Sequence, residues 1–241
     1  MTTLLNIETS SLVCSVCISR DTRVIARRED RSTEYSHSSL LMVFIEEVLK
    51  EAGLKPAEIS AVAVSQGPGS YTGLRIGVSA AKGFCYALNI PLIAADTMRA
   101  LAENARQQMS SLKDRQGPAE NRLLYCPMID ARRMEVYYAL FCEDLSTVQN
   151  TRAQVVNENT FSELLQENKV VFFGNGAQKC KKVIHGPNAV FLPEVWPSAQ
   201  GLIKEAEYKF RQGEFVNLAY FEPFYLKDFV AGKPKVKGLY P

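Results

Sequence analysis

The stretch "AVAVSQGPGSYTGLRIGVSAAKG", residues 61–83, constrains this chain more than any other. An apolar run of strand type enters a knot of glycine and proline, and a long helix-forming segment follows. That order is the setting in which free backbone N–H groups and the positive end of a helix dipole hold an anion. The residues of a nucleotide loop are missing, however. A Walker loop needs Lys and then Ser or Thr after its last glycine, and here Gly73 is followed by Leu74 and Arg75; G-x-G-x-x-G does not occur either. The alternative is geometric: Gly67, Pro68 and Gly69 turn the chain sharply, and Ser70 or Thr72 caps the helix.

The helix adds a second demand. Gly73, Gly77, Ala80, Ala81 and Gly83 crowd it with small side chains, although glycine costs about 1 kcal/mol against alanine inside a helix. Something must approach it closely. The preceding helix, residues 36–52, has the complementary oddity: eight of the ten residues from 40 to 49 are apolar, all but Glu46 and Glu47. One amphipathic stripe covers less than that. Two buried faces would account for it, one against the chain's own sheet and one against a partner; a wholly internal core helix is the other reading.

Around this unit the chain reads as α/β. "TLLNIETSSLVCSVCIS" is a hairpin with a polar turn at residues 8–11, "RVIARRED" a third strand, and Gly53 and Asn89 stand where the two helices would stop. "PLIAA" is a buried strand and "TMRALAENARQQM" a third helix. The polar segment 110–122 marks a lobe boundary, giving lobes 1–110 and 111–241, the last segment packing back on the first. "LLYCPMIDARRMEVYYALF" then repeats the opening hairpin, with Asp130 answering Glu8, which suggests a duplicated lobe. A polar helix at "NTFSELLQENK", a strand into "VVFFGNGA" and a helix near "PSAQGLIKEAEYKF" follow.

Several function classes are excluded. No stretch approaches the roughly 18 apolar residues of a membrane span and no leader pattern opens the chain, so the expectation is a cytoplasmic protein with no membrane contact. A net charge of +2 over 241 residues leaves any RNA contact local, with "ARRED", "KCKK" and "KPKVKG" as candidates and solvated surface as the plainer reading of each. Cys14 and Cys17 form C-x-x-C, but three apart on a strand they point to opposite faces and cannot converge on a metal.

The chain resembles the TsaB family, also called YeaZ, of bacterial tRNA threonylcarbamoyladenosine synthesis. The resemblance is carried by "IETS", "HSSLL", "GPGSYTGLRIGVSAAKG", "DARRMEVYY", "FFGNGA" and "EPFYLKD", in that order along the chain. It implies a duplicated, two-lobe actin-like (ribonuclease H-like) fold and a non-catalytic scaffold that pairs with the transferase TsaD, is joined by TsaE, and forms a homodimer when alone. Contact with tRNA would be indirect or weak, and ATP would belong to the assembled complex. TsaD holds a metal through H-x-x-x-H after the strand that "PLIAA" matches; Thr97 and Leu101 stand there in this chain, so no metal and no zinc peptidase are expected.

The resemblance places the partner interface on His37, Leu40, Leu41, Phe44, Ile45, Val48, Leu74, Gly77, Val78 and Ala81, and the family loop on Gly67, Pro68, Gly69, Ser70, Thr72 and Gly73. It leaves room for weak nucleotide binding at a vestigial site of Glu8, Ser10, Asp130, Gly174 and Gly176. Glu8 stands where the family usually has Asp, which argues against an inherited phosphate or magnesium role. The alternative is an actin-like ATP-dependent phosphotransferase using Glu8 and Asp130. His185 falls in a loop.

Overall fold

The computed structural model describes residues 1–31, 37–111 and 122–227. Ser36, the segment 112–121 and the "KPKVKG" tail lie outside them.

Strands β1 (Thr3–Glu8), β2 (Cys14–Arg20), β3 (Arg23–Asp30), β4 (Ala61–Ser65) and β5 (Leu92–Ala95) form one sheet in the order β3-β2-β1-β4-β5. β2 is antiparallel to both β1 and β3, while β4 runs parallel to β1 and β5 to β4. Five more strands, β6 (Arg122–Asp130), β7 (Glu135–Cys142), β8 (Thr147–Val155), β9 (Asn168–Phe173) and β10 (Ala189–Phe191), repeat the plan in a second sheet, read β8-β7-β6-β9-β10 from the same side. Directions match strand for strand. The Glu8 and Asp130 hairpins thus head two copies of one unit, the duplicated actin-like architecture.

Helices α1 (His37–Ala52) and α2 (Tyr71–Leu88) cover one face of the first sheet. Leu41, Ile45 and Val48 of α1 and Val78 and Ala81 of α2 pack there on Leu5, Ile7, Val16 and Val62. On the other face, α6 (Ile203–Gln212) and the 3₁₀ helix Ala199–Leu202 return from the end of the chain, with Ala206 against Leu4, Ala61 and Ile93. Coverage on both sides explains why every residue of β1 and β4 is buried instead of every second one. Cys14 joins the α1 side and Cys17 the α6 side, packed with Ala199 and Ile203, as their spacing requires. Helix α3 (Thr97–Ser111) lies on the second sheet through Met98, Leu101, Ala102 and Ala105, against Tyr125, Ile129 and Phe173. Short helices α4 (Ser162–Glu167) and α5 (Ala177–Cys180) cover its opposite face.

Both long helices stop where expected, at Gly53 (φ +64°) and at Asn89, whose φ of 53° forms a left-handed cap. Two elements depart from the sequence reading. The polar "TVQNTRAQV" is a strand, β8, because it needs only one neighbour, β7, at the edge of the sheet. The "NTFSELLQENK" helix is confined to α4, since from Asn168 the chain extends to pair with β6.

Candidate functional site

The turn between β1 and β2 is the point on which the glycine helix closes. Thr9, Ser10 and Ser11 are buried. A Cβ on Gly69 would lie 2.3 Å from the Ser10 carbonyl oxygen, on Gly73 2.1 Å from that of Thr9, and on Gly77 2.2 Å from Thr9 Oγ1. Three glycines four residues apart, one in the loop and two on α2, thus form a groove that holds the chain's own hairpin turn. The close approach demanded by the small residues is made from within, not by a partner.

The loop is equally committed. Ser70 N–H donates to Ser10 O (2.6 Å), Gly73 N–H to the capping Ser70 Oγ (3.2 Å), and Gly67 N–H to Thr97 Oγ1 (3.0 Å). Thr72, the other capping candidate, is exposed. Gly67 sits at φ +112°, with Phe224 O 2.6 Å from its Cβ position, and Phe224 N–H donates to Gln66 O beside it. The "EPFYL" segment therefore lies across the loop. His37 completes the cluster by donating from Nε2 to Ser11 O at 2.7 Å, tying the start of α1 to the same turn.

This packing corrects the expected interface. His37, Leu41, Ile45, Val48, Leu74, Gly77, Val78 and Ala81 are all buried inside the chain's own fold and form the inward stripe of the two helices. In the chain by itself they offer a partner almost no surface. Leu40 and Phe44 are half-buried at the margin. The exposed apolar surface of α1 is elsewhere on the helix, at Met42 (54% exposed) and Val43 (45%). Val43 adjoins Leu40 one turn earlier. On α2, Ile76, Ala80 and Phe84 are half-buried at successive turns, and Gly83 faces open space.

Of the acidic pair, Glu8 is sealed from solvent. Its Oε1 accepts from Ser10 N (2.6 Å) and Ser65 Oγ (3.1 Å), while Oε2 has no partner among the described residues. Burial raises its pKa above the ordinary 4.5; the hydrogen bonds from Ser10 and Ser65 oppose that rise, and the charge of Glu29 adds to it. A carboxyl with a raised folded pKa binds its proton more tightly in the folded state, so its contribution to stability is present at low pH and lost as pH rises past 4.5 through the raised value. Glu8→Gln is expected to remove that loss. Thermal melts of both proteins from pH ~4.5 to ~8 check it, and superimposable profiles would refute it.

Asp130 is exposed, but its cation is already supplied: Lys179 Nζ lies 2.5 Å from Oδ1 and also donates to Glu135 O. Gly174 and Gly176 press on the end of β6, their Cβ positions 2.4 Å from Met128 O and 2.9 Å from the carbonyl carbon of Ile129. The expected nucleotide residues therefore fall into two groups, Glu8 with Ser10 under α2 and Asp130 with the glycine turn. Between the two turns runs α3. Thr97 ties Gly67, and Leu101 Cδ2 lies 3.0 Å from the Gly174 Cβ position. Thr97 and Leu101, the two positions that the resemblance sets against the histidines of TsaD, thus brace the loops of both halves. Among the described residues no group of three or more His, Cys, Asp or Glu side chains is placed to hold a metal. His185 is in an exposed loop, as expected.

Part of the sequence-local basic patches is tied down within the chain. Arg28 pairs with Glu47 and Glu51, Arg27 binds Gln200, and Lys179 is held by Asp130. No helix among the described residues is long and apolar enough to cross a membrane.

Residues 31–234 match the family model described as TsaD, tRNA N6-adenosine threonylcarbamoyltransferase. The chain is 28% identical to the tRNA threonylcarbamoyladenosine biosynthesis protein TsaB of Escherichia coli over 95% of its length and 96% of that protein. To the Bacillus subtilis TsaB it is 33% identical, over 58% of this chain and 55% of the relative. The solved structure of YeaZ from Pseudomonas aeruginosa superposes with a TM-score of 0.75 at 24% identity, covering 94% of this chain and 100% of the other, which supports the shared fold. On the matched model, the full-length relatives and the duplicated fold, this chain belongs to the TsaD family, in its TsaB (YeaZ) branch.

Proposed function

We propose that the chain is a non-catalytic partner in the biosynthesis of tRNA N6-threonylcarbamoyladenosine, binding the TsaD transferase through the outer surface of α1 and α2, with TsaE joining the assembly. The observation that carries this reading is a contrast between two places. Thr97 and Leu101, which the resemblance matches to the metal ligands of TsaD, brace loops and carry no imidazole, whereas α1 turns Met42 and Val43 out to solvent, where apolar side chains gain by being covered. The full-length relative is named for biosynthesis rather than for the transferase. In this reading the chain supplies affinity and orientation, and ATP turnover belongs to the complex. The same face pairs with a second copy when TsaD is absent.

The phosphotransferase alternative fares worse, because Glu8 is sealed and Asp130 is paired with Lys179. The test is tRNA threonylcarbamoylation by purified TsaD and TsaE with and without this chain. A requirement for the chain supports the proposal. Equal modification without it would sink the proposal, and ATP hydrolysis by the chain alone that vanishes in Asp130→Ala would favour the phosphotransferase instead.

A further inference from the structure

Arg99, Glu103 and Arg106 share one side of α3, and Lys204, Glu205 and Tyr208 lie at the start of α6. The two stretches line an open cleft of about 520 Å³, with the β7–β8 turn at one end. Beneath it the backbones touch, since a Cβ on Gly201 would be 2.3 Å from Ala100 O.

The charges separate by depth. Glu103 is only 4% exposed, and its oxygens accept from Arg106, Gln107 and Lys204 at 2.8–2.9 Å. Glu205 is likewise low in the wall, bound to Lys209 and to Asp96 N–H. Both carboxylates are occupied by protein donors, and Lys204, one of the donors to Glu103, keeps a side chain that is 56% exposed, with ammonium N–H groups left for a second acceptor. Arg99 is different again. Its guanidinium lies over the Phe141 ring, 5.7 Å from the centroid, and makes no hydrogen bond or ion pair with any described residue. At the rim Tyr208 exposes 60% of its surface.

We propose that this cleft is an RNA-binding site, in which Arg99 and Lys204 hold a backbone phosphate and Tyr208 stacks on an adjacent base. A planar guanidinium edge and an exposed ammonium match phosphate oxygens, and an exposed aromatic beside them suits a base. An open cleft lined by charged side chains suits a strand laid along it better than an enclosed small molecule. Asp144 is the opposing charge: it sits on the rim with Oδ1 accepting from Ser146 N at 2.8 Å, and it repels phosphate. The choice of RNA rests on the tRNA-modification reading, but the binding does not require TsaD.

The experiment is fluorescence anisotropy of a fluorescein-labelled tRNA transcript titrated with the chain alone at several salt concentrations. Arg99→Glu, which gives up only the contact with the Phe141 ring and the charge near Asp96, is expected to weaken binding about 10-fold and to flatten the slope of log K against log salt by about 1, with a melting curve run beside it to show that the variant is folded. Tyr208→Ala should weaken it about 5-fold with the slope unchanged, and Asp144→Asn should tighten it. Lys181→Glu, the same charge change at an exposed lysine of the "KCKK" segment, should shift it by less than about 2-fold. Equal losses in Arg99→Glu and Lys181→Glu would overturn the proposal, as would labelled ATP binding as tightly as the tRNA. Intact tRNA binding by a chain that modification does not require would count against the scaffold reading and leave the cleft standing.

Discussion

Val43→Glu is expected to leave the chain folded, with a wild-type melting curve, and to weaken its support of TsaD-dependent tRNA modification about 100-fold, or ~2.8 kcal/mol of partner affinity at 1.4 kcal/mol per decade. Val43 is 45% exposed, so in the free chain the new carboxylate stays in water. In the complex it would be desolvated without a counter-ion. Leu41→Glu, only two positions away, should behave oppositely. Leu41 is 2% exposed among Ile45, Val48 and the first sheet, and an unpaired buried carboxylate costs several kcal/mol, a large part of the roughly 5–15 kcal/mol that holds a domain folded. The two variants separate interface from core when circular-dichroism melts are run beside the modification assay. A folded Val43→Glu protein that supports modification at the wild-type rate and still co-purifies with TsaD would remove α1 from the interface.

Gly73→Val and Gly77→Val should each destabilise the chain by about 3 kcal/mol or more, at the upper end of overpacking costs. The added carbons would collide with Thr9 O at 2.1 Å and Thr9 Oγ1 at 2.2 Å; the carbonyl is fixed by the turn that Ser70 and His37 hold through Ser10 and Ser11, and at Gly77 the Thr9 Cβ and methyl, 3.3 and 3.4 Å away, leave the hydroxyl little room to turn aside. Gly83→Ala on the same helix is the internal control. Nothing lies within 4 Å of its Cβ position, so the helix should gain roughly 0.5–1 kcal/mol from the better helix former. Denaturant melts of the three variants measure the difference. If Gly73→Val and Gly77→Val were as stable as wild type, the hairpin turn would not be seated in the α2 groove.

Much of the fold was legible in the residues. Periodicity and punctuation located the opening hairpin, α1 ending at Gly53, α2 starting after Ser70 and ending at Asn89, and the repeat of the hairpin at Asp130. Spacing alone put Cys14 and Cys17 on opposite faces. The outward side of α1 was less legible, because the helix is apolar nearly all round and a composition of that kind does not say which side turns inward. Apart from Leu40 and Phe44 at the margin, the residues expected at a partner surface are the inward stripe, and Met42 and Val43, which face solvent, were not among them. The polar strand β8 escaped for a related reason, its conformation being imposed by pairing with β7 rather than by its own side chains.

The Arg99 cleft left no sequence signal at all. Its cations come from α3 and α6, about a hundred positions apart, each embedded among acids that cancel it in a linear count, and the segregation by depth exists only once the helices face each other. What the sequence by itself determined was local: where the chain can be helix or strand, where it must turn, and that something has to lie against the glycines of α2. Only the tertiary structure decided what that something is. A glycine fixes the distance of approach but carries no atom that selects its neighbour, and the neighbour, the Thr9–Ser10 turn, is brought there by the parallel pairing of β1 with β4.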